Sequence, residues 1–352
     1  MMISEYITNS EYRKALGLPT EVTETYSLLA QGEYNVNYLF AHPVTGRKLI
    51  LRVNTGSQMH LDRQIEYEAH ALSLLKGSGR TPCVLFTDGS KSCIEYGVLV
   101  MEYLPGRYPS YESGDDMAGV MECMADIHSV FIPPAEVVYG EPFGDNAVPR
   151  DTVRLIAPGS ATAAILDECE SMLKVYTDSP LGDTSVKERL RRLLDSGHEI
   201  AVRGIKETAV TRCCINTELN STNFLVDDSG FVRLVDWEKP LYGDPAQDLG
   251  HLLAPTTTFW KTDTILSADD TDRWIDEYIK AVDYRYDTRG VGERTKQLIT
   301  ITCLRGLTWC AMAWIEYQDP EKLIANESTR KKLDAYLSDS FLKDIEKRFG
   351  IR

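Results

Sequence analysis

The chain has 352 residues, 43% apolar and 26% charged, an ordinary balance for a folded protein and enough length for two lobes. Lys and Arg number 38 against 53 Asp and Glu, a formal charge of −15, which argues against a nucleic-acid or anionic-membrane partner and suits either a cationic ligand or solubility alone. No run reaches the roughly 18 apolar residues of a membrane span, MMISEYITNSEYRK lacks the order of a signal peptide, and eight cysteines without a C-x-x-C read as reduced thiols in a cytoplasmic protein with no zinc site.

In chain order, residues 1–20 read as a helix ending near Gly17 and Pro19. Alternation over 22–53 gives three strands, VTETYSLLA, YNVNYLFAH and KLILRVN, parted by Gly32 and by a turn from Pro43 to Gly46. Ile65, Ala69, Leu72 and Leu75 recur at helical spacing over 60–76, and Gly77 and Gly79 close that helix. VLFTDGS and YGVLVMEYL add two more strands. These elements predict a five-stranded, one-helix lobe over 1–103, with LPGRYPS as the connection onward. From Asp115 the patterns are helical, as in MAGVMECMADIHSV, SATAAILDECESMLKVY, DDTDRWIDEYIKAV, RTKQLITITCLRGLTWCAMAWIEY and STRKKLDAYLSDSFLKDIEKRF. One hairpin interrupts them, Phe224–Val226 and Phe231–Val235 around the turn Asp227–Gly230. The expected class is α+β, a small antiparallel β lobe followed by a larger helical lobe over 104–352.

The chemistry concentrates at 218–238, ELNSTNFLVDDSGFVRLVDWE. Glu218 precedes Asn223 by five residues, and the hairpin returns Asp236 to the same end, where Asn223 and Asp236 can hold a cation. That E-x-x-x-x-N spacing equals the D-x-x-x-x-N of a kinase catalytic loop, although an acidic hairpin alone equally describes a solvated turn. Upstream features come in a matching order. Gly32 and Asn35 lie at a strand turn, where a glycine lets backbone N–H groups approach phosphate. Arg52 follows on the third strand, Glu68 on the helix, and Met101, Glu102 and Tyr103 at the end of the fifth strand.

With those features in sequence, the chain resembles the aminoglycoside phosphotransferase and choline kinase family, whose fold is protein-kinase-like. The resemblance covers most of the chain and is carried by LAQGEYNVNYLF, KLILRV, IEYEAHALSLL, GVLVMEYLPG, MADIHS and ELNSTNFLVDDSGFVRLVDWEKPLYGDPAQDLGHLL. It implies a bilobal, ATP- and Mg²⁺-dependent phosphotransferase acting on a hydroxyl of a small acceptor, cationic acceptors included. It implies Glu218 as the catalytic carboxylate, Asn223 and Asp236 as metal ligands, and Gly32, Asn35, Arg52, Glu68, Met101, Glu102 and Tyr103 around the nucleotide. Asp248 in GDPAQDL would cap its helix or brace the catalytic loop.

Two departures matter. The family's H-G-D-L-x-x-x-N-x-L reads N-T-E-L-N-S-T-N-F-L at 216–225, so the catalytic Asp is Glu218, one methylene longer, a displacement of roughly 1 Å that can cost about 10²-fold unless the site is rebuilt around it. Arg52 stands for Lys and keeps the charge. The N-T-E change leaves a second reading open, a nucleotide-binding pseudokinase that regulates a protein partner. For the acceptor, the acidic helix SADDTDRWIDEY either lines a cation-binding cleft or is a solvated face. Trp260, Trp309, Trp314 and Tyr317 either cage a quaternary amine or pack between helices. Thr256 to Thr258 read as a Pro-flanked surface loop near the cleft.

Overall fold

The computed structural model describes residues 3–142, 146–203, 210–318 and 327–350. Five strands, β1 (Ser27–Gln31), β2 (Asn35–Ala41), β3 (Lys48–Asn54), β4 (Val84–Asp88) and β5 (Gly97–Glu102), form one antiparallel sheet in the order β1-β2-β3-β5-β4. Side chains alternate between its faces. Leu49, Leu51, Val53, Val98 and Val100 pack with Tyr6, Tyr12, Tyr26 and Phe40 on one face, under α1 (Ser10–Leu16). Leu99 and Met101 point the other way, with Ile65 and Leu72 of α2 (Gln64–Leu75). Arg52 is paired with Leu99 across the sheet, so it too faces α2.

Both helices are shorter than their patterns. Asn9 caps α1 by accepting from the Glu11 and Tyr12 amides, and Gly17 ends it in the left-handed conformation. Helix α2 starts only at Gln64, because the Ser57 hydroxyl donates to the Gln64 side chain and accepts the Leu61 amide, holding 57–61 as a loop. That loop carries Gln58 away from the sheet.

The remainder is mostly helical, with α3 (Gly114–His128), α4 (Ala161–Asp178), α5 (Thr184–Arg203), α6 (Pro245–Leu253), α7 (Pro255–Lys261), α8 (Ala268–Val282), α9 (Val291–Glu316), α10 (Glu327–Tyr336) and α11 (Asp339–Arg348). Strands β6 (Val137–Tyr139) and β7 (Leu155–Ala157) pair in parallel. Strands β8 (Cys213–Ile215) and β11 (Leu241–Gly243) pair antiparallel, and between them β9 (Phe224–Val226) and β10 (Val232–Leu234) form the expected hairpin. The pairs β6/β7 and β8/β11 are not expected from the sequence, since three-residue strands are too short to show alternation. The β8/β11 pair joins both ends of the segment that carries Glu218 and Asp236.

Three readings are corrected. Thr256, Thr257 and Thr258 are buried in α7 rather than in a surface loop; Pro255 is the first residue of a helix, where its missing N–H is harmless. The last helical pattern is two helices, because the Ser338 side chain accepts the Phe341 amide and starts α11. Helix α9 is long and apolar enough to cross a membrane by length and composition, contrary to expectation, but 67% of its most apolar window is buried inside the protein. It is a core helix, packed against α4 and α6. One cluster of buried side chains runs from α2 and β5 through α3 to the hairpin and α6.

Candidate active site

The segment after β8 is fixed by a buried carboxylate. Asp248, on α6, accepts the Asn216 and Thr217 amides at 2.8 and 2.7 Å and meets His128 Nε2 at 3.1 Å. The other ring nitrogen of His128 faces the Tyr278 hydroxyl. Asp248 therefore braces this loop, as one of its two sequence readings has it. Thr217 holds a φ of 76°, a left-handed conformation strained for a β-branched residue. Its amide is held by Asp248 and its hydroxyl donates to the Lys239 carbonyl at 2.9 Å. Asn216 donates to the Asp236 carbonyl at 2.7 Å, so the loop is tied to the far end of the hairpin.

Two cavities lie on either side of this loop. Thr222 and Asn223 face the first; Glu218 and Asn220 face the second. All nine residues expected around nucleotide and metal line the first: Gly32, Asn35, Arg52, Glu68, Met101, Glu102, Tyr103, Asn223 and Asp236. Arg52 is buried against Glu68 at 2.5 Å and reaches Asp236 at 3.4 Å, linking the sheet to the hairpin. Asn223 Nδ2 approaches Asp236 Oδ2 at 3.5 Å, while its Oδ1 accepts the Asn220 amide. Asp236 itself has a φ of 68° and a half-exposed carboxylate.

Four of the nine are engaged differently from expectation. The Gly32 amide donates to the Asn35 carbonyl at 2.9 Å, closing the turn instead of offering itself to a phosphate. Asn35 donates to Glu238 at 2.5 Å and accepts from Asn54 at 3.0 Å, so its side chain bridges the sheet to the segment after Asp236. The amides of Glu102 and Tyr103 donate to the Cys83 and Lys48 carbonyls, which leaves carbonyl oxygens and side chains for a ring docked there.

Carboxylates outnumber cations in the first cavity. Burial pushes the Glu68 carboxyl up to about 7 against the pull of Arg52, and Glu238 and Asp236 add to the rise. Glu238 is raised as well, by burial first and then by Asp236. Glu68 Oε2 is buried without a hydrogen-bond partner. Among the described residues no three His, Cys, Asp or Glu side chains are set to hold an ion unaided. The carboxylate and amide oxygens of Asp236, Glu238 and Asn223 are of the donor type that fits a hard cation such as Mg²⁺.

Glu218 sits in opposite surroundings. Gln58 Nε2 donates to its carboxylate at 3.0 Å, and Lys239 Nζ and an Arg305 terminal nitrogen each lie 3.6 Å away. Burial opposes its ionisation, but Lys239, Arg305 and His251 outweigh that and hold the carboxyl below its usual range. Trp260 and Trp309 also line this second cavity, their rings 5.3 Å apart and edge-on. Trp314 and Tyr317 pack against the helical core instead. The acidic helix α8 contributes no lining residue and is a solvated face packed on α3. Sequence reading missed Gln58, Glu238, Lys239 and Arg305 as site residues. An arginine within the apolar run TCLRGLTWC was a usable signal for the last; a loop glutamine gave none.

The family model described as the phosphotransferase enzyme family matches residues 25–292. Solved structures share the fold along nearly the whole length. A spectinomycin phosphotransferase in complex with ADP and spectinomycin aligns at a TM-score of 0.62 and 10% identity, covering 97% of each chain. A choline kinase from Streptococcus pneumoniae aligns at 0.59 and 15%, covering 99% of each. A Plasmodium vivax ethanolamine kinase aligns at 0.57 and 12%, covering 96% of this chain and 87% of its own. No curated protein sequence matches the chain.

Proposed function

The chain belongs to the phosphotransferase enzyme family, and from that premise we propose that it transfers the terminal phosphoryl group of ATP to a hydroxyl of a small acceptor. The observation that carries this reading is the partition of the loop. Its Asn223 end lines a carboxylate-rich cavity with Arg52, Glu68 and Asp236, while its Glu218 end lines a separate cavity large enough for a small molecule. ATP would occupy the first, its ring near Met101 and Tyr103 and its phosphates toward Arg52. Asp236 and Asn223, with Glu238 beside them, would hold Mg²⁺, which supplies charge neutralisation on the phosphates.

The chain's own residues would then do the following. Glu218 accepts a hydrogen bond from the acceptor hydroxyl and orients it toward the phosphorus. As the new O–P bond forms and the bond to ADP breaks, the hydroxyl proton passes to the Glu218 carboxylate. A carboxyl held low is a weak base, so orientation dominates and proton transfer comes late. Gln58, Lys239 and Arg305 fix the longer side chain, which supports a loop rebuilt for glutamate over one that has lost its catalytic acid.

ADP formation measured across a panel of hydroxylated metabolites, with and without Mg²⁺, tests the reading. Acceptor-dependent turnover that needs Mg²⁺ is expected. Tight nucleotide binding with no turnover on any acceptor would favour a regulatory, non-catalytic protein.

A further inference from the structure

The second cavity measures about 480 Å³, and its fixed charges run against those of the whole chain. Lys261 and Arg305 line it, and Lys239 stands beside Glu218. Among the described residues Glu218 is the one carboxylate in its lining. Glu168 lies behind Arg305 and accepts from its Nε and one terminal nitrogen at 2.7 and 3.2 Å, leaving further donors of the guanidinium fork. Burial is the first cause that holds the His251 imidazole below its ordinary value. Three cations thus face two carboxylates, both already engaged by them, in a protein of formal charge −15. Lys261, at the C-terminal end of α7, is exposed on the rim.

On the reading that this cavity takes the acceptor, we propose that the acceptor is a hydroxylated molecule bearing an anionic group, a carboxylate or a phosphate, directed at Lys261 and Arg305. The reacting hydroxyl would lie at Glu218 and the carbon skeleton against the Trp260–Trp309 corner. A forked guanidinium and a rim ammonium match such oxygens. A polyamine would instead meet Lys261 and Arg305 in the lining, and the carboxylate it needs is already approached by Lys239 and Arg305.

The field can be read without any acceptor. Trp309 lines the cavity and is 39% exposed, so ions can quench its fluorescence. The part of the emission lost in Trp309→Phe should be quenched by iodide over caesium at a ratio about twofold or more above that for free N-acetyltryptophanamide. The preference should fade in high salt and collapse in Lys261→Glu, with the circular dichroism spectrum unchanged. Caesium quenching that equals or exceeds iodide's on that reference scale would overturn the proposal.

A second arm compares gluconate, glucose 6-phosphate, glucose and glucosamine as six-carbon acceptors. The acids should turn over fastest, the first two separating carboxylate from phosphate, and a preference for glucosamine would overturn the proposal. If none of the four reacts, the quenching result decides alone. Quenching needs no turnover, so its failure leaves phosphoryl transfer standing, and the reverse also holds.

Discussion

The two cavities flanking the Asn216–Asn223 loop hold the same side-chain type in opposite states. In the first cavity Glu68, Asp236 and Glu238 face a single buried Arg52, and the Glu68 carboxyl is pushed up to about 7. In the second cavity Glu218 lies between Lys239 and Arg305 and is held below its ordinary range. The first arrangement lacks positive charge and would be completed by a cation that arrives with its substrate. The second is already neutralised and holds its carboxylate ready. Surroundings, more than residue identity, assign each glutamate its work.

The comparison breaks most readily at Glu218. Glu218→Ala should lower kcat by roughly 10²-fold or more while ATP affinity stays near the parent's. Glu218→Asp should also lose activity in steady-state assays, because Gln58, Lys239 and Arg305 are placed about the longer side chain. Higher activity in Glu218→Asp would mean those contacts merely restrain the group.

On the other side, Asp236→Ala should weaken Mg²⁺-dependent nucleotide binding by roughly 10- to 100-fold, the worth of one charged contact. Titration calorimetry with and without Mg²⁺ checks this, and equal affinities in parent and variant would remove Asp236 from the metal site. Between the cavities, Asp248→Ala orphans two buried amides, and its denaturant midpoint should report a loss of about 2–4 kcal/mol.

Smaller effects follow from titration. Glu218 must be ionised to accept the hydroxyl proton, so activity falls as pH drops through its lowered pKa. Lys239→Gln removes one cause of that lowering, and the acid limb of the kcat/KM profile should move upward by less than about one pH unit. Glu68 carries the opposite sign. Its folded pKa is raised, so its contribution to stability of the ligand-free protein is full below the ordinary carboxyl range and is lost as pH rises through about 7. Binding of Mg²⁺ and ADP should therefore release a fraction of a proton near neutral pH, seen as a buffer-dependent binding enthalpy, whereas proton uptake would contradict the carboxylate excess.

The sheet was legible because strands of five to seven residues alternate visibly and are parted by Gly32 and by Pro43 to Gly46. That the residues of the first cavity come together was legible for a related reason. Its residues fall in short runs whose spacing reflects local geometry, Asn223 and Asp236 across one hairpin and Arg52 and Glu68 on adjacent elements. The lining of the second cavity was not. Gln58, Lys239, Lys261 and Arg305 come from four distant segments and meet only through packing, and of the two readings of the acidic stretch the solvated face is the one the structure has. Lys239 reaches Glu218 because the β8/β11 pairing closes the segment between them, and strands of three residues give no periodic signal.

Nucleotide affinity and phosphoryl transfer, measured side by side in Glu218→Ala and Asp236→Ala, test the division of labour most directly. Calorimetry with Mg²⁺ and ADP gives the first, and single-turnover transfer from ATP to an identified acceptor gives the second. The expected result is crossed: Glu218→Ala binds nucleotide like the parent and fails to transfer, whereas Asp236→Ala loses both. Transfer at the parental rate in Glu218→Ala, or parental Mg²⁺-dependent binding in Asp236→Ala, would contradict it.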